Sequence, residues 1–252
     1  MQPADPALRG QVALVTGGAR RLGAAIVRAL HAHGAQVLIH HRASRVAAAA
    51  LADELNAARP GSAALYAADL LDVAALPGVV QAALDAFGRL DVLVNNASTF
   101  YATPLGAITL AHWEDLMGSN LRAPLFLAQA AAAELRRRRG LVLNIADIHA
   151  FRPLRQHPVY CAAKAGLVML TQSLARELAP EARANAIAPG PILWPEAGID
   201  PALKARVIER TALKRIGTPE DVARAALFFV RDAPYVTGQV LPVDGGRTVG
   251  GL

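Results

Sequence analysis

Tyr160 and Lys164 stand four residues apart, and Asp147 lies thirteen residues before the tyrosine in the run Asn144-Ile145-Ala146-Asp147-Ile148-His149. Residues four apart on a helix share a face, so this spacing sets an ammonium beside a phenol. The charge favours phenolate and is expected to lower the phenol's ordinary pKa of about 10, which makes tyrosine a usable proton donor near neutrality. A carboxylate in the third position accepts hydrogen bonds from amino and ring N–H groups with a charge assistance that a hydroxyl lacks. Together the three groups suit proton transfer to a nitrogen heterocycle. A Tyr-x-x-x-Lys spacing also describes the solvated face of many helices, so its weight depends on its surroundings.

A second constellation, Thr16-Gly17-Gly18-Ala19-Arg20-Arg21-Leu22-Gly23, follows an apolar run and opens a helical stretch. Glycines there let backbone approach a pyrophosphate, which the helix N-terminus stabilises through its N–H groups and dipole. About twenty residues on, where a site for NAD places an acid against the ribose, the chain reads His40-His41-Arg42-Ala43-Ser44. An acid would repel a 2′-phosphate, whereas Arg42, Ser44 and a histidine bind one, so NADPH is favoured over NADH. Asp69 is placed to accept from an adenine amino group or to cap the next helix. Asn95 and Asn96, before Ala97 and Ser98, are expected both to tie a strand end to backbone and to approach the cofactor.

The elements that position these groups alternate. VALVTG (12–17), VLIHH (37–41), ALYAAD (64–69), LDVLVNNA (90–97), LVLNIAD (141–147), ANAIAPG (184–190) and GQVLPVDGG (238–246) read as strands. Helices are expected near 21–33, 44–58 and 73–87, in two segments before the fifth strand, and around Tyr160 and Lys164. Continuous apolar strands imply burial on both faces. The expectation is an α/β, Rossmann-type doubly wound parallel sheet of about seven strands, with helices on both faces and motifs at the carboxyl ends of the strands. Residues 1–9 read as a loose leader and 10–252 as one catalytic domain with a substrate loop near 191–217.

With 252 residues and 54% hydrophobic content, the chain can bury a large single core. The lone Cys161 excludes an internal disulfide and reads as a packed side chain. Apolar runs break before the roughly 18–20 residues of a membrane span, and no signal peptide is evident, so a cytoplasmic address is expected. The net charge of +6 is scattered and not interleaved with aromatics, which argues against nucleic acid and for attraction of anionic small molecules. Its densest run, Arg136 to Arg139, complements the negative end of a helix dipole. No metal-ligating cluster stands out.

Thr16-Gly17-x-x-x-Arg21-x-Gly23, Asn95-Asn96-Ala97, Asn120, Tyr160-x-x-x-Lys164 and Pro189-Gly190, in this order, resemble the short-chain dehydrogenase/reductase superfamily over essentially the whole chain. Arg21 stands where that superfamily usually has a second glycine, and Asp147 where it has a serine. Both departures, with Asn95-Asn96-Ala97-Ser98-Thr99-Phe100-Tyr101, resemble the pteridine reductases, in which the phenylalanine sandwiches the pterin against nicotinamide. A flat heteroaromatic gains from such offset contact.

The resemblance implies a catalytic set of Asp147, Tyr160 and Lys164, with Lys164 also holding the nicotinamide ribose and Asn120 organising a relay of water and backbone behind it. It implies a cofactor wall of Gly17, Arg21, Leu22, Gly23, His40, Arg42, Ser44, Asp69, Leu70, Asn96, Ala97, Ser98, Pro189, Gly190 and Ile192, joined by Tyr160 and Lys164. Arg21 and Ser98 would bridge cofactor phosphate and pterin, while Phe100, Leu193 and Trp194 meet the substrate, the last two from the stretch Pro191 to Glu196. The activity implied is NADPH-dependent reduction of pterins or dihydropteridines, dihydrofolate among them, in a homotetramer. The alternative is a reductase of an ordinary carbonyl such as a 3-oxoacyl thioester, against which stands the repulsion between Asp147 and a developing oxyanion. A non-catalytic NADPH-binding protein is a further alternative, opposed by the intact Tyr160, Lys164 and Asn120.

Overall fold

The computed structural model describes residues 7–194, 198 and 200–249. Strands β1 (Val12–Val15), β2 (Gln36–His41), β3 (Ala63–Ala67), β4 (Val92–Asn95), β5 (Leu141–Ile145), β6 (Arg183–Pro189) and β7 (Val240–Val243) form one parallel sheet in the order β3-β2-β1-β4-β5-β6-β7. The helices between them are α1 (Arg21–Ala32), α2 (Arg45–Ala58), α3 (Leu76–Phe87), α4 (Leu110–Met117), α5 (Ala123–Arg138), α6 (Pro158–Leu178), α7 (Pro201–Glu209) and α8 (Pro219–Leu227).

Alternate strand residues serve opposite layers, as a period of two requires. Ala13, Val15, Val37 and Ile39 pack under Ile26 and Leu30 of α1, Leu51 of α2 and Val222 of α8. Val12, Leu14, Leu38 and Leu93 pack on the other face under Val79 of α3, Leu127 and Leu135 of α5 and Leu174 of α6. Each such side chain taken from water contributes about 1.5–3 kcal/mol before entropy is counted. The expected doubly wound sheet is therefore what forms, and helices lie on both of its faces. Strand order reverses direction between β1 and β4, which leaves a crevice beyond their carboxyl ends.

Three features depart from the expected organisation. Residues 1–6 of the expected leader lie outside the described residues, but Leu8 is buried and its N–H donates to His33 O at 2.9 Å, so order begins before Gln11. The 191–217 stretch contains α7, capped by Asp200, whose carboxylate accepts from Ala202 N at 2.9 Å, with Pro201 in the first turn. Pro195 and Glu196, in the middle of that stretch, lie outside the described residues. Finally, α4 and α5 run into one another through a π-helical turn, Gly118–Arg122, that carries Asn120. Such turns recur at functional sites because they shift side chains off the regular helical face. Among the described residues, no helix is long and apolar enough to cross a membrane.

Candidate active site

The turn after β1 is fixed from three directions. Thr16 accepts at Oγ1 from Asn96 N (2.9 Å) and Ala97 N (3.0 Å), and Asn96 Nδ2 donates to Thr16 O (2.9 Å) and Gly17 O (3.1 Å). Asn96 thus ties the end of β4 to the end of β1, one of the two roles expected of it. Asn95 points instead into the sheet, where its Nδ2 donates to Asn144 Oδ1 at 2.8 Å and Asn144 donates to Thr171 at 2.9 Å. The third support is His40, whose Nδ1 accepts from Gly17 N at 3.2 Å while Nε2 contacts Ala68 O at 3.1 Å. A carbonyl only accepts, so Nε2 carries the proton and the ring is neutral. Burial then lowers its pKa to about 4, with the Ala68 bond partly opposing. His40, expected among the phosphate-binding groups, is engaged at both ring nitrogens as a strut on the cleft wall, and Arg42 and Ser44 remain at the rim.

Gly23 explains the tightness of the turn. A Cβ there would lie 2.2 Å from Gly17 O and 2.6 Å from Asn96 Nδ2, so its role is close packing of helix on turn as much as ligand approach. Arg21, where a second glycine is expected, keeps a glycine's conformation with φ 51°, and its Nη2 donates to Trp194 O at 3.4 Å. Asp69 caps no helix: it accepts from Leu71 N at 3.0 Å, and the following 3₁₀ turn is capped by Asp72.

At the end of β5, Asp147 Oδ1 accepts from His149 N at 2.8 Å, which aims Oδ2 at the Tyr160 hydroxyl, 2.8 Å away and donating. Lys164, one turn along α6 and 2% exposed, donates to Ile145 O at 2.9 Å with Nζ 5.7 Å from the Tyr160 ring centroid. Burial depresses the lysine pKa to about 8 against the pull of Asp147. The expected lowering of the phenol pKa is reversed: burial first, then the charge and hydrogen bond of Asp147, push Tyr160 well above its ordinary value. The spacing brought the ammonium near the ring, but the carboxylate rather than the ammonium touches the hydroxyl. Tyr160 is therefore a firmly protonated donor.

Asn120 does not reach Lys164. Its Nδ2 donates to Leu116 O (2.9 Å) and Thr99 O (3.0 Å), and its Oδ1 accepts from Ser98 Oγ at 2.6 Å. Asn120 thus holds Ser98 in place, itself fixed by the carbonyls of Leu116 and Thr99. Phe100 is 55% exposed, stacked on His157 with centroids 4.8 Å apart and edge-on to Tyr160 at 4.8 Å.

All the residues expected at the site except Asn95 and Asn120 line one cleft of about 940 Å³. It runs from Arg42, Ser44, Asp69 and Leu70 past Gly17, Leu22, Gly23, Ala97, Pro189, Gly190 and Ile192 to Asp147, Tyr160, Phe100, Leu193 and Trp194. The open N-terminus of α1, the absence of an acid after β2 and the elongated shape fit a phosphorylated dinucleotide. Sequence reading missed Leu203 and Val207 of α7 and Arg247 after β7, which also line it. Only the Asp200-Pro201 pair signalled that a helix stood there. Among the described residues no group of His, Cys, Asp and Glu is placed to hold a metal ion.

This arrangement has counterparts. A family model described as enoyl-(acyl carrier protein) reductase matches residues 17–248. Pteridine reductase 1 of Leishmania tarentolae is 37% identical over 94% of this chain and 96% of its own length. A 3-oxoacyl-[acyl-carrier-protein] reductase of Synechocystis is 35% identical over 96% of this chain and 99% of its own. A blue fluorescent protein from a metagenomic library, solved in complex with NADPH, superposes with a TM-score of 0.90 at 38% identity, covering 95% of this chain and 98% of that one. With its sheet order, glycine turn and Tyr160/Lys164 pair in the places such proteins share, the chain belongs to the short-chain dehydrogenase/reductase superfamily of oxidoreductases.

Proposed function

We propose that this enzyme reduces pterins and dihydropteridines, dihydrofolate among them, with NADPH. The observation that carries this reading is the 2.8 Å hydrogen bond from the Tyr160 hydroxyl to Asp147, made beside the exposed ring of Phe100. NADPH, when bound, supplies the hydride that a ring carbon accepts. Arg42 and Ser44 would hold its 2′-phosphate, the α1 terminus its pyrophosphate, and Lys164 its nicotinamide ribose.

The remaining work falls to the chain's own side chains. A pterin presents amino and ring N–H donors, and Asp147, fixed by His149 N, accepts them with charge assistance. That engagement competes with the Tyr160 bond and frees the phenol proton to turn toward the ring nitrogen next to the reduced carbon. Phe100 offers the flat face on which the heterocycle lies, and Ser98, held by Asn120, borders the same place. Burial of Lys164 and Tyr160 keeps water from the donor. Assembly as a homotetramer through the long helices is supported by Trp113 of α4 and Leu125 of α5, both apolar and exposed.

Likeness to the 3-oxoacyl reductase supports a second reading, reduction of an ordinary carbonyl. A carboxylate 2.8 Å from the proton donor opposes the charge that an alkoxide develops, which weighs against it. Oxidation of NADPH with dihydrobiopterin, dihydrofolate and a ketone panel decides between them. Pterins should be preferred, Tyr160→Phe should lose about 10²–10⁴-fold in kcat, and Asp147→Ser should move preference toward ketones. Ketone preference in the wild type, or undiminished pterin turnover in both variants, would overturn the assignment.

A further inference from the structure

One wall of the cleft, built by the segment after β6, by α7 and by the turn after β7, is apolar with one exception. Leu193, Trp194, Leu203 and Val207 form it, and Arg247, four residues after the end of β7, is the only charged residue among its described members. The guanidinium is half-buried and makes one hydrogen bond, from Nη1 to Val207 O at 3.0 Å. That bond fixes it to α7 and leaves the rest of its planar donor fork without a carboxylate partner among the described residues. Asp244, the acid nearest in sequence, is engaged elsewhere: Oδ1 accepts from Gly246 N at 2.8 Å, and Oδ2 from Thr248 N at 2.8 Å and Thr248 Oγ1 at 2.7 Å.

A half-buried cation that no carboxylate meets directly among the described residues is unfavourable, and its neighbours relieve it only in part. Burial and then the Arg210 guanidinium push the Arg247 pKa below its ordinary value, with Asp244 only partly opposing. Lys204 lies over Trp194 with Nζ 5.5 Å from the ring centroid, and Arg21 donates to Trp194 O, which adds positive charge to the same side. The nearest acid lining the reacting end, Asp147, is tied to Tyr160 and His149 N.

We propose that Arg247 binds an anionic group, a carboxylate in the first instance, carried on the part of the substrate that extends away from the reacting ring. The site thereby selects substrates with a charged tail over neutral ones. Arg247 is a binding and specificity residue with no part in proton transfer. It is anchored to α7 through Val207 O and belongs neither to the glycine turn nor to the Arg42 loop, the two places that would take the phosphates of a dinucleotide. The inference deepens the pterin reading and rests on it for the identity of the tail, which for dihydrofolate is the glutamate. The anion preference itself holds for whatever the catalytic end reduces.

Two matched pairs separate these claims: dihydrofolate with its diester, and a long-chain keto acid with its ester. The pair that the NADPH-loaded wild type turns over tests the pterin reading. Within that pair, the anionic member should be favoured about 10-fold to 100-fold in kcat/KM, the range for hydrogen bonds to a charged group. Arg247→Met should abolish the preference by raising KM for the anion far more than for the ester, Arg247→Lys should keep part of it, and NADPH should still bind. If neither pair is turned over, quenching of Trp194 fluorescence by the two members in the loaded enzyme reads the same preference. Equal treatment of acid and ester by the wild type, an unchanged preference in Arg247→Met, or a parallel loss of NADPH affinity would overturn the proposal.

Discussion

At the β1 end of the cleft the polar groups meet backbone: Thr16 takes two N–H groups, Asn96 gives to two carbonyls, and His40 bridges Gly17 and Ala68. At the α7 end the walls are side chains, with Phe100, Leu193 and Trp194 at least partly exposed and Arg247 held by a single bond. The first end is complete before any ligand arrives. The second presents surfaces and charges that a ligand must complete. A glycine turn shaped by internal bonds admits one kind of guest, whereas an apolar wall with one cation can be retuned by replacing a few side chains. That division explains how relatives of similar identity carry names as different as pteridine reductase and 3-oxoacyl reductase on one frame.

The sharpest way to break this contrast is to change one side chain at each end. Gly23→Ala puts a carbon 2.2 Å from the Gly17 carbonyl, where only backbone can yield. A stability loss of about 3 kcal/mol is expected, and with it a fall in Tm of roughly 6–12 °C for a chain of this size. Phe100→Ala, at the open end, removes an exposed ring whose two aromatic contacts are each worth about 0.5–1.5 kcal/mol at most. Its Tm should fall less, since the ring is more than half exposed, while KM for a pterin rises. Calorimetry of both variants checks the pair, and a Gly23→Ala protein melting within a degree or two of wild type would remove the claim that the turn is pre-formed.

His40 tests the same end through pH. Its folded pKa of about 4 lies below the ordinary 6.5, so between those values the unfolded chain binds more protons than the native one. Stability is therefore fully present above pH 6.5 and falls as the pH drops toward 4, by about 3 kcal/mol for this residue. His40→Asn keeps an acceptor for Gly17 N and removes the titration. Urea unfolding from pH 4 to 7 should show a shallower slope for the variant. Identical slopes would mean that the ring is not the neutral strut described here.

How much of this was readable in the residues follows the same division. The sheet, its seven strands and the turn were legible because periodicity and the placing of glycines are backbone properties. Asn96 was legible in part, since strand-end amides have few other uses. The bond from Asn95 to Asn144 was not, because register between β4 and β5 is a tertiary fact. Tyr160 and Lys164 were rightly set on one helical face. The sign of the phenol shift was misread because spacing says nothing of whether the ammonium turns to the hydroxyl or to Ile145 O. Arg247 carried no signal: an arginine after a glycine pair becomes notable only when α7 folds against it.

The smallest expected effect concerns the one part of the β1 end that is not internally satisfied. Arg42 is exposed and lies with Ser44 on the rim of the cleft beyond His40. Since His40 is neutral and engaged, the groups on this rim proposed to discriminate for a 2′-phosphate are Arg42 and Ser44, with solvent screening the charge. Arg42→Ala should therefore weaken NADPH by about 10-fold, the lower end for a charge-assisted bond, and leave NADH nearly unchanged. The loss should shrink as salt is raised, which a purely steric effect would not do. Equal weakening of both dinucleotides would instead place the 2′-phosphate away from this rim, and the cofactor end would then resemble the substrate end in owing its selectivity to groups that a ligand has to assemble.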